Sequence, residues 1–88
     1  MAARSGTRED PVTSEWLKEL GRNVRRVRTY REMTQAKLAE KADLALRTLQ
    51  KLEAGEFIPL ASTLARLRDA LGCSADDILP RMPWPTAK

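Results

Sequence analysis

Apolar residues in this chain recur three and four positions apart, in short runs cut off by glycine, proline or a capping residue. No stretch alternates apolar with polar as a half-buried strand would, and there is no internal repeat. That pattern restricts the chain to short packed helices. The first run, Trp16, Leu17, Leu20, Val24 and Val27, follows Ser14, a good N-cap, and Glu15 in the first turn, so one helix is expected from there to about residue 28. Thr34 is suited to cap a two-turn helix over residues 35–41 with Leu38 and Ala39 facing inward. After a break at Ala42, Asp43 and Leu44, a third helix is expected over residues 45–54, stopped by Gly55. Leu60, Leu64, Leu67 and Leu71 mark a fourth, closed by Gly72. Ser74, with Asp77 three positions on as a capping-box partner, starts a last short helix that Pro80 ends. The expected fold class is all-α.

A chain of 88 residues, 42% of them hydrophobic, builds one core, because two cores of half that size would each be undersized. The domain is expected over residues 13–80, with tails at 1–12 and 81–88. The first tail is polar and punctuated by Gly6 and Pro11, with too little apolar surface to offset the entropy of ordering it. Its alternative reading is a basic arm, with Arg4 and Arg8 reaching into a DNA minor groove; Glu9 and Asp10 weigh against that. The second tail holds Pro83, Trp84 and Pro85.

The composition removes most enzyme and metal classes. With no histidine and one cysteine, the chain cannot form a histidine general base, a Ser/His/Asp triad, a Cys/His zinc site or an internal disulfide. Asp76 and Asp77 are adjacent, so they diverge on a helix and suit capping better than catalysis. No run reaches the roughly 18 apolar residues of a membrane span, and the N-terminus lacks a signal-peptide core. A soluble protein of a reducing compartment, the cytoplasm, is expected.

Charge is distributed unevenly. From Arg22 to Lys51 there are nine basic residues against three acidic, a net of +6, whereas from Leu60 onward the balance is four to three, +1. A local excess of this kind suits a polyanion, although a charge run is more often a solvated face. Winding residues 45–54 as a helix puts Leu46, Arg47, Gln50, Lys51 and Ala54 on one side and Thr48, Leu49, Leu52 and Glu53 on the other. The first side carries groups able to read base edges: arginine or lysine on guanine, glutamine on adenine. A solvated helix face would look the same. In the first helix, Arg22, Arg25 and Arg26 point away from the apolar stripe, while Arg28 lies at its margin, where a carboxylate partner would allow partial burial. Gly21 costs that helix about 1 kcal/mol relative to alanine, with no reason for it in the sequence.

The ordered set of motifs over residues 20–79, about two thirds of the chain, resembles the lambda-repressor-like helix-turn-helix family, often called XRE-type regulators. It comprises Val24-Arg25 and Val27-Arg28; Met33-Thr34-Gln35; Leu38-Ala39-Glu40-Lys41; and Thr48-Leu49-Gln50-Lys51-Leu52-Glu53-Ala54-Gly55. Pro59, Thr63-Leu64, Ala70-Leu71-Gly72, Ser74 and Ile78-Leu79 complete it. Each piece alone is common; their order and spacing are specific. The resemblance implies a compact five-helix bundle whose second and third helices form a helix-turn-helix that docks on DNA. It implies base contacts from Leu46, Arg47, Gln50 and Lys51, phosphate contacts from Thr34, Gln35 and Lys37, and an Arg28–Glu53 ion pair between the first and third helices. Three positions depart from the family pattern. Asp43 stands where glycine is frequent in the turn; Ala45 stands where Ser or Thr caps the third helix, unless Asp43 supplies the cap. Leu46 stands where polar base readers are frequent, which shifts readout toward a thymine methyl or weakens it.

The function these expectations describe is a transcriptional regulator binding double-stranded DNA in sequence-specific fashion, on the nucleoid, with no cofactor and no enzymatic activity. A small dimeric repressor or operon controller, of toxin-antitoxin, restriction-modification or phage type, fits. A chain of this length is expected to lack a ligand-sensing domain, so control falls to concentration, dimerisation or a separate regulatory protein. Ile78, Leu79, Met82 and Trp84 are the homodimer candidates. The alternative is a protein-interaction module of the same fold that has lost specific DNA binding. Cys73 is expected to be a buried, inert thiol.

Overall fold

A computed structural model describes residues 11–81. Among these residues the fold is entirely helical, with five helices: α1 (Pro11–Tyr30), α2 (Gln35–Ala42), α3 (Leu46–Glu53), α4 (Ala61–Leu71) and α5 (Ala75–Ile78). α1 opens at Pro11, not after Ser14. Proline already holds a helical φ, and the N–H it lacks would have no intrahelical partner in a first turn. The expected N-terminal tail therefore ends two residues early. Residues 1–10, with Arg4 and Arg8, and residues 82–88, with Met82 and Trp84, lie outside the described residues.

Helix ends follow local chemistry. Thr34 caps α2, its Oγ1 accepting the Lys37 N–H at 3.0 Å. At α5, Asp77 Oδ2 accepts from the Ser74 N–H at 3.0 Å and from Ser74 Oγ at 3.2 Å. α3 has no side-chain cap: Ala45 is its N-cap, and Asp43 serves the end of α2 instead. α1, α2, α3 and α4 all stop with a residue at positive φ, respectively Glu32 (58°), Asp43 (57°), Gly55 (78°) and Gly72 (67°). In each, the next residue's N–H reaches back to a carbonyl of the last turn: Met33 to Arg28 at 3.1 Å, Leu44 to Ala39 at 2.8 Å, Glu56 to Lys51 at 2.9 Å and Cys73 to Arg68 at 3.2 Å. Asp43 thus does the work of the frequent turn glycine, and the chain passes from α2 to α3 in three residues, Asp43, Leu44 and Ala45.

The helical spacing converges on one core. Trp16, Leu17, Leu20 and Val24 of α1 meet Leu38, Ala39 and Ala42 of α2, Leu49 and Leu52 of α3, Leu67 and Leu71 of α4, and Ile78 of α5. Each fully buried leucine contributes about 2 kcal/mol relative to exposure. α1 packs on α3 and α5, α2 on α3 and α4, and α4 on α5, so the helix-turn-helix is held from both sides. Leu60 falls outside this core. It is the N-cap of α4, extended at φ −73° and ψ 159°, and is 71% exposed, because an extended residue leaves the helical register.

Two polar features belong to the packing. Asn23, buried within the stripe of α1, donates from Nδ2 to the Ile78 carbonyl at 3.0 Å and accepts from Arg26 Nη1 at 2.8 Å. It thereby satisfies a carbonyl at the end of α5, which helix geometry leaves unpaired. No buried side-chain polar atom of the described residues lacks a partner. Cys73 is half-buried, and burial first, then the negative charge of Asp77, pushes its thiol above the usual range, which disfavours a reactive thiolate.

Candidate nucleic-acid interface

The face of α3 turned from the core carries Leu46, Arg47, Gln50 and Lys51, all exposed, while Leu49 and Leu52 fill the opposite side. Among the described residues, no side chain pairs with Arg47, Gln50 or Lys51. Two cations and an amide are therefore directed outward from one short helix, with their full hydrogen-bonding capacity available. Arg25 of α1 and Lys41 of α2 are exposed as well.

The N-terminus of α2 meets the end of α3, where Gln35 bonds Glu53 at 2.9 Å. With the Lys37 N–H satisfied by Thr34, the N–H groups of Gln35 and Ala36 are the first-turn donors left without an intrahelical acceptor. Free amides and the helix dipole together favour an anion. Lys37 is exposed, 3.7 Å from Glu40 across one helical turn, a contact worth little in water and easily exchanged.

Behind this surface lies a polar cluster that joins three helices. Arg28 Nε donates to Glu53 Oε2 at 2.7 Å and Nη2 to Oε1 at 3.2 Å, while Nη1 donates to the Met33 carbonyl at 2.8 Å. The pair is well sheltered, with side chains 13% and 5% exposed. Gln35 Nε2 adds a third donor to Glu53, reaching Oε1 at 2.9 Å. Every donor facing the carboxylate is thus used, which is the condition under which a sheltered ion pair holds. It also changes what Gln35 can offer. One N–H of its amide is turned inward to Glu53, so the donors left at that residue are its second amide N–H and its backbone N–H.

Three features here carry no signal in helical spacing alone. Gly21 is one: a Cβ there would lie 2.5 Å from the Glu53 carbonyl oxygen and 2.6 Å from that of Leu52. α1 and the end of α3 approach that closely, which fixes where α3 sits. Asn23 is the second; its polarity inside the run Leu20, Val24, Val27 was the available clue. Arg31 is the third, donating to the Gly72 carbonyl at 2.8 Å and so tying the end of α1 to the end of α4. Of the homodimer candidates, Ile78 is in the core, because its face of α5 closes the bundle, and Leu79 is half-buried against it.

The geometry defines an all-helical domain with an outward-facing second helix of a helix-turn-helix. The family model described as "Helix-turn-helix" matches residues 24–78, and the chain belongs to that family, in its lambda-repressor-like, XRE-type form. Over 60 residues it is 35% identical to the immunity repressor protein of Bacillus phage phi105, covering 68% of this chain and 42% of that protein. The chain thus spans about two fifths of the length of that relative. In fold it is similar to the restriction-modification controller protein C.AhdI from Aeromonas hydrophila, with a TM-score of 0.70 and 22% identity, over 72% of this chain and 96% of that one.

Proposed function

We propose that this protein is a sequence-specific transcriptional regulator of double-stranded DNA, working as a small dimeric repressor or operon controller by occupying its operator. One observation carries the reading: Arg47, Gln50 and Lys51 project from α3 without partners among the described residues, and the start of α2, where Gln35 bonds Glu53 at the end of α3, carries free N–H groups. α3 would enter the major groove while α2 grips the backbone. Similarity to an immunity repressor and to a restriction-modification controller supports this. The reading assigns the protein no catalysis and no cofactor, and gives it a place in the cytoplasm, on the nucleoid. No helix of the described residues is long and apolar enough to cross a membrane.

Selection of duplexes from a random library, followed by titration of the winner and a scrambled duplex at several salt concentrations, tests it. A preferred sequence with steep salt dependence is expected. Retention of neither duplex at low salt would instead favour an interaction module on the same fold.

The functional unit we infer is a homodimer, since twofold protein symmetry matches paired half-sites about one helical turn apart. In support, a largely apolar depression of about 200 Å³ lies between α4 and α5, lined by Ala61, Leu64, Ala65, Ala75, Ile78 and Leu79, with Arg68 also in its wall. Met82 and Trp84 follow it closely in sequence. Removing residues 80–88 is expected to weaken self-association in sedimentation; an unchanged dimer would refute a C-terminal interface. A separate regulatory protein is the remaining partner class, one route of control beside concentration and dimerisation.

A further inference from the structure

Leu46 differs from the other leucines of α3. Leu49 and Leu52 are sealed in the core, whereas Leu46, the first residue of the helix, is 42% exposed. A single exposed leucine is ordinary on a protein surface; this one gains direction from its neighbours. Arg47 follows it, and Gln50 and Lys51 stand one turn further along the same face, all exposed. An apolar protein surface docking here would desolvate these cations without pairing them, which is unfavourable. A polyanion pairs them. Ala45, exposed and bearing only a methyl, precedes Leu46, so the end of α3 is aliphatic over two residues. Among base edges in the major groove, the apolar feature such an end can meet is the 5-methyl group of a pyrimidine.

We propose that Leu46 is a specificity-determining residue that selects a pyrimidine 5-methyl group in the major groove, opposite the start of α3. The inference rests on the DNA-reading function above. Thymine carries this group, and 5-methylcytosine carries the same one.

The test uses the full chain and the duplex it selects from a random library. In one arm each thymine is replaced singly by deoxyuridine; in the other, cytosine and 5-methylcytosine are placed in turn at each position of one half-site. Loss of one buried methyl is expected to weaken binding about fourfold at a single position of the half-site. Leu46→Ala is expected to erase that difference, and Leu46→Gln to do the same should the alanine variant melt early. A methyl effect in the first arm alone identifies thymine as the source, and an effect in both identifies the group irrespective of the base. Absence of any methyl effect, or one that persists in folded Leu46 variants, overturns the proposal while the DNA-reading function stands. Failure to select any preferred duplex overturns that function itself, and the proposal with it.

Discussion

Gly21 of α1 lies directly against the backbone of Glu53, where a Cβ would come within 2.5 Å of the carbonyl oxygen. Helix propensity alone says that Gly21→Ala should stabilise the chain by about 1 kcal/mol. The contact says the reverse, because a carbonyl at the end of a packed helix cannot swing aside as a side-chain tip can. Overpacking of this kind costs about 1–3 kcal/mol, and here it acts on backbone. Gly21→Ala is therefore expected to lower stability by about 2 kcal/mol in urea unfolding; a rise would mean that α1 and α3 sit further apart.

The cluster around Glu53 leads to a second expectation. Removing the carboxylate leaves Arg28 sheltered and without its main partner, and strips Gln35 of its acceptor. Glu53→Ala should cost about 3 kcal/mol, since an unpaired buried charge is worse than none. Gln35→Ala should cost only about 1.5 kcal/mol, the net worth of one hydrogen bond to a charged group at the low end. Thermal unfolding of the two variants side by side checks the order; a neutral Glu53→Ala would contradict it.

Base reading and backbone holding should fail differently in DNA titrations. Arg47→Ala is expected to lose about 1–3 kcal/mol on the selected duplex and flatten the sequence preference, as when a two-pronged guanine contact is removed. Lys37→Ala should weaken all duplexes and reduce the salt slope by about one unit if it neutralises a phosphate. Gln35→Ala should weaken all duplexes by a smaller factor and leave that slope nearly unchanged. The bond to Glu53 already takes one of its two amide N–H groups, which limits what the side chain itself contributes. Equal weakening of selected and scrambled duplexes by Arg47→Ala would remove Arg47 from the base contacts.

Asp77 makes stability depend on acid. The Ser74 N–H and then the Ser74 hydroxyl, both hydrogen-bonded to its carboxylate, hold its pKa below the usual aspartate value. The stabilisation is therefore complete above the unfolded-state pKa of about 4. It disappears as pH falls through the lower folded-state value. Asp77→Asn should flatten the acid limb of a melting-temperature profile below about pH 4 and leave its shape unchanged near neutrality. An acid limb identical to that of the wild type would show that the cap has no part in it.

The primary sequence by itself determined the class of fold, the core-facing residues and most helix ends, because each depends on neighbours within one turn. Leu38, Leu49, Leu52, Leu67 and Leu71 declare their faces by a period of three and four, and Thr34, Gly55, Gly72 and the Ser74–Asp77 cap act on backbone groups four residues away or fewer. The outward side of α3 followed from the same winding. Only the tertiary structure decided why residue 21 is glycine, where the Gln35 amide points, which carbonyl Asn23 satisfies and that Ile78 is core. Those outcomes depend on how close two helices come and at what angle, and such distances join residues 18 to 55 positions apart. A repeat of 3.6 residues specifies which way a side chain leaves its own helix. It carries no information about what stands opposite, which is settled by the packing of all five helices at once.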